Sequence, residues 1–145
     1  MKSKDWLGMA LSGLAAGAVG LTALARAGRP RGTVIATRLY APEPAAAALR
    51  LRGLARALAG RGEDVTGLTA TPPRAQAPVP RDPGVPVRSA PALRDANGYI
   101  RGYAQYLSFD LPLALRLLTA PRPRMVVAEP PPTTGIVTRV VAGLR

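Results

Sequence analysis

From Thr33 onward, β-branched runs take turns with helix-patterned stretches, and that alternation leaves few folds open. "TVIATRLY" (Thr33 to Tyr40) is β-branched and apolar, suited to a buried parallel strand. Pro42 and Pro44 of "APEP" stop it. A helix is predicted from Ala45 to Ala59, with Leu51, Leu54, Ala55 and Leu58 as its core stripe and Arg50, Arg52 and Arg56 largely outside it. Gly60 and Gly62 end it, and "EDVTGLTA" (Glu63 to Ala70) reads as a second strand, weakened by Gly67.

Five prolines in "TPPRAQAPVPRDP" mark residues 71 to 83 as an irregular loop. "GVPVRSA" (Gly84 to Ala90) is a short third strand that Pro86 confines to a sheet edge. Asn97 to Ala120 is mainly helical, with Asn97 as N-cap and a kink or restart at Pro112. Tyr99, Tyr103 and Tyr106 share one face of it and read as packing residues. "RMVVAEPPP" (Arg124 to Pro132) is a fourth strand, and a last helix opens with Thr133 as its cap. This order predicts an α/β fold, a partial doubly wound parallel sheet with flanking helices.

The segment before Gly32 differs in kind. Trp6 to Ala25 is 20 residues without a charge, long enough as an apolar helix to cross a bilayer core of about 30 Å. It reads as a membrane anchor, a signal-like segment or the product of a start placed too early. Residues 1–31 therefore stand apart from a domain over 32–145. Flanking charge leans slightly toward a cytoplasmic C-terminal side.

Chemistry is limited by what is missing. The chain has no cysteine and no histidine, which excludes disulfides, thiolate metal sites and imidazole catalysis. Of its 20 basic residues only Lys2 and Lys4 are lysine, and the net charge is +12. That surplus fits a coding bias toward arginine as well as it fits attraction to anionic surfaces.

In a doubly wound sheet the ligand lies beyond the carboxyl ends of the strands, where strand order reverses. The turns "YAPEP" and "AEPPPTTG" belong there. They supply Tyr40, Glu43 and Glu129, with Thr133, Thr134 and Gly135 offering hydroxyls and helix N-terminal amides. Glu43 is expected either to accept a ligand hydroxyl or to cap the following helix.

These residues also carry a resemblance. "YAPEPAAAALRLRGLARALAGRGEDVTGLTA", "QYLSFDLPLALRLL" and "PRMVVAEPPPTTG" are similar, in that order, to the N-terminal acceptor-side domain of family 4 glycosyltransferases of the GT-B fold, over about Thr33 to Arg145. Ala45 stands where that family has a glycine, Glu63 where it has a histidine, and Gly67 where a branched residue is common. The resemblance implies a Rossmann-like domain and transfer of a sugar, with retention, from a nucleotide-sugar donor to a cell-envelope glycan or lipid-linked acceptor at the cytoplasmic face of the membrane. No metal or resident cofactor is implied. The donor would be held by a second domain or second chain, so this incomplete domain is expected to be inactive alone. The acceptor-binding positions it implies are Tyr40, Glu43, Glu129, Thr133, Thr134 and Gly135. An alternative keeps the fold without catalysis, as a membrane-tethered interaction protein. Nucleic acid is not an expected partner, because no recognised binding motif is present.

Overall fold

A computed structural model describes residues 31–73, 82–129 and 131–145. Four strands form one all-parallel sheet: β1 (Thr33–Thr37), β2 (Val65–Ala70), β3 (Val87–Ala90) and β4 (Met125–Ala128). Their spatial order is β3-β2-β1-β4. Helix α1 (Ala46–Ala59) joins β1 to β2, α2 (Tyr103–Thr119) joins β3 to β4, and α3 (Pro132–Gly143) follows β4. The apolar stretch at residues 6–25 lies outside the described residues. Among the described residues no helix is long and apolar enough to cross a membrane.

The alternation along each strand sorts side chains to two faces. Ile35 and Val65 pack with Leu51 and Ala55 of α1 on one face. Ala36, Leu68 and Ala70 pack with Phe109, Leu113 and Leu117 of α2 and Val141 of α3 on the other. A sheet covered on both sides needs apolar residues at successive positions, and that is why the strands read as continuous runs. Each fully buried Leu or Phe contributes about 1.5 to 3 kcal/mol, so the cluster around Phe109 and Leu113 is a main source of stability. Leu54 falls off the predicted stripe of α1 and is exposed, whereas Ala48 is buried.

Pro86 does mark an edge. Strand β3 lies outside β2, is only four residues long, and begins just after Pro86, whose carbonyl accepts from Gly67 N–H at 2.9 Å. Gly67 has a reason to be glycine there, because a Cβ would sit 3.3 Å from Val87 Cγ2 on β3.

Three predicted ends are corrected. The expected strand from Thr33 to Tyr40 stops at Thr37, where the side-chain oxygen lies 3.2 Å from Leu39 N–H and 2.8 Å from Leu39 O and turns the chain out of the sheet. Asn97 caps nothing. Asp95 Oδ1 accepts from the amides of Asn97 and Tyr99, and the helix starts only after Gly102, whose φ of 97° ends the turn. Thr133 does not cap α3 either, since the helix opens with Pro132 after Pro131 and has no side-chain cap bond. Helix α2 then runs unbroken past Pro112.

The tyrosine face is a further correction. Tyr99 lies before the helix and is half exposed, and Tyr103 is 81% exposed. Tyr106 alone packs at the margin of the core.

Candidate functional site

Strand β2 follows β1 on one side and β4 lies on the other, so the strand order reverses between β1 and β4. Beyond their carboxyl ends is a crevice of about 180 Å³ lined by Thr37, Arg38, Leu39, Ala47, Arg50 and Glu129. Register places Glu129 there. Ala36 pairs with Ala128, and Glu129 N–H donates to Ala36 O at 3.1 Å, which holds the next carboxylate at the rim.

Arg50 of α1 donates to Glu129 Oε1 at 2.9 Å. This guanidinium is largely exposed while the carboxylate is mostly buried, so the pair closes the crevice from the solvent side. Thr37 Oγ1 is 3.2 Å from Glu129 Oε2 but only 2.8 Å from Leu39 O. One hydroxyl proton cannot serve both acceptors well, and Leu39 O is the nearer. Glu129 Oε2 therefore retains capacity for another donor.

Arg38 forms the inner wall. Its Nη1 donates to Ile100 O at 2.6 Å, and its guanidinium lies 4.5 Å above the ring of Tyr106. Burial draws its pKa down from the ordinary arginine value, while Tyr106, Asp110 and Glu129 oppose the shift. The result is a desolvated cation beside the crevice, where it attracts negative charge more strongly than it would in water.

The other expected site residues lie outside this crevice. Tyr40 is buried under α1, its hydroxyl has no partner among the described residues, and burial followed by the negative charge of Asp82 raises its pKa. Glu43 is 6% exposed, and both carboxylate oxygens accept from Arg94, at 3.1 and 3.2 Å. Arg94 also donates to Gly98 O and Thr71 O. The carboxylate thus ties the turn after β1 to the loops after β2 and β3, and it does not cap α1, which has Ala45 at its N-cap and no side-chain cap bond.

At the start of α3, Thr134 is fully buried and donates to Asp110 Oδ1 at 2.6 Å. Its N–H donates to Pro131 O, and Pro131 and Pro132 have no N–H to offer, so this helix end is a poorer anion cradle than its position suggests. The hydroxyl of Thr133 is buried without a partner among the described residues, and Gly135 is exposed. No hydrogen bond or ion pair among the described residues joins Glu43 to Glu129. Thr37, Arg38 and Asp110 were not read from the sequence as site residues. Asp110 left one signal, a lone acid in the apolar run "LSFDLPLALRLL".

Among the described residues no three carboxylates gather as they would around a metal ion. No family model matches the chain, and neither does any curated protein or solved structure.

Proposed function

We propose that residues 32–145 are a Rossmann-like, acceptor-side part of a glycosyltransferase that moves a sugar from a nucleotide-sugar donor to a glycan or lipid-linked acceptor. The observation that carries this reading is Glu129. It stands half-enclosed where the strand order reverses, with Oε1 held by Arg50 and Oε2 able to accept from a further donor. An acceptor hydroxyl bonded to Oε2 would be oriented toward a donor held on the far side of a cleft, and such positioning is the main service an acceptor domain renders. Arg38 adds a partly desolvated positive charge to the wall of the crevice, where it would attract a negatively charged or strongly dipolar ligand group.

Donor binding must come from a second domain or a second chain. Alone, residues 1–145 are expected to turn over no nucleotide sugar. Combined with a donor-binding domain, Glu129→Gln should lower transfer about tenfold or more, equivalent to about 1.4 kcal/mol, with the melting temperature unchanged. Equal transfer by the variant and the native protein would remove Glu129 from the site.

The second reading, a non-catalytic interaction protein, draws on Glu43. Its full engagement by Arg94 leaves the first turn serving the fold rather than a ligand.

A further inference from the structure

The end of the sheet opposite the crevice has a different chemistry. At the amino end of β4, a cavity of about 440 Å³ is walled by four arginines, Arg122, Arg124, Arg139 and Arg145. Leu117, Val126 and Val141 supply its apolar side. No acidic side chain lines it. Arg124 is paired with Glu63, and Arg145 donates to Leu117 O at the end of α2. Arg122 and Arg139 are exposed and have no acidic partner among the described residues.

A second concavity of about 720 Å³ adjoins it through Leu117 and adds Arg31, Arg88 and Arg116, with Asp64 as its one acid. Seven arginines thus line the two concavities around the amino ends of the strands. Met125 and Leu144, both large and exposed, lie beside Arg124 and Arg145 in the chain. Arg31, on this face, is six residues beyond the end of the 20-residue uncharged stretch in the sequence.

We propose that this amino-end face docks on an anionic phospholipid surface, with a headgroup phosphate received by Arg122 and Arg139 in the 440 Å³ cavity. Guanidinium forks suit phosphate oxygens. Apolar side chains interleaved with the arginines suit the boundary between headgroup and acyl chain. The tyrosines on which unpaired bases would stack lie before and at the start of α2, at the carboxyl end of the sheet.

The test is binding of the full chain to vesicles of neutral phosphatidylcholine, with and without about 30% phosphatidylglycerol. The apolar stretch contributes to both, so the gain on adding anionic lipid is the quantity to read. The expected result is that Arg122→Gln combined with Arg139→Gln lowers this gain about 30-fold, or about fivefold per arginine. Arg56→Gln combined with Arg101→Gln, an equal loss of charge elsewhere on the surface, should leave most of it. An equal loss in both pairs overturns the site, because net charge alone would then explain binding. No gain from anionic lipid overturns it as well. Full competition by millimolar glycerol phosphate would mean a soluble phosphate ligand, and tighter binding to a short RNA than to the vesicles would mean a nucleic-acid surface; either result overturns the lipid assignment.

Discussion

Glu43 and Arg94 lie 51 residues apart in the chain and meet where both side chains are mostly buried. The four terminal N–H groups of Arg94 are shared among Glu43, Gly98 O and Thr71 O, so two of them lose their acceptor when the Glu43 carboxylate is removed. Removing one partner of such a pair strands the other. Glu43→Ala is therefore expected to destabilise the fold by about 3 kcal/mol or more, while Glu43→Leu combined with Arg94→Met recovers most of the loss. Urea unfolding of the three proteins decides it, and a double variant as unstable as the single one would sink the account. Asp82 and Arg52 form a second bidentate pair, with both bonds at 2.8 Å. Hydrogen bonding from Arg52 holds the Asp82 carboxyl below its ordinary range. A folded pKa below the unfolded one gives stability that is present above about pH 4 and disappears as pH falls through the folded value. Arg52→Met should thus cost about 1.5 to 3 kcal/mol at neutral pH and progressively less in acid. A gap between variant and native protein that stays constant from neutral pH to strong acid would contradict this.

Elements were more legible than their ends. Each of the four strands and three helices lies within or close to the stretch where the pattern placed it, because hydrophobic runs and glycine or proline stops are local signals. Ends depend on which side chain captures a backbone group, as Asp95 does with the amides of Asn97 and Tyr99, and no periodicity records that choice. The surroundings of the expected site residues were hidden for the same reason. Glu129 follows a strand by one residue and could be placed, whereas the fate of Glu43 was set by an arginine in a distant loop. Gly67 offers a test at this scale. A methyl group there meets Val87 at 3.3 Å, tighter than ordinary contact, and β3 is a short edge strand held mainly by that neighbour. Gly67→Ala should lower stability by about 1 kcal/mol despite the better strand propensity of alanine, and adding Val87→Ala should recover part of the loss. If Gly67→Ala stabilises the protein outright, close packing does not explain this glycine.

Over the whole molecule, 20 basic residues against 8 acidic ones leave a surplus that pairing cannot remove. The described residues contain five ion pairs, and the two in which both partners are mostly buried, Glu43–Arg94 and Asp82–Arg52, are shielded from salt by burial. The exposed arginines around the amino ends of the strands are not shielded. Their mutual repulsion is stronger in the compact state than in an expanded chain, and it fades once the screening length drops from about 30 Å in 10 mM salt to about 10 Å in 0.1 M. Screening therefore removes more repulsion than attraction. Raising sodium chloride from about 10 mM to about 0.1 M should raise the melting temperature of this protein, where a chain held by surface salt bridges would show a fall. Replacing Arg122 and Arg139 together by glutamine should raise the low-salt melting temperature and flatten the salt dependence, because two unpaired charges leave the most crowded part of the surface. A salt response unchanged by that double substitution would mean the repulsion is spread over the molecule, with no concentration at the amino-end face.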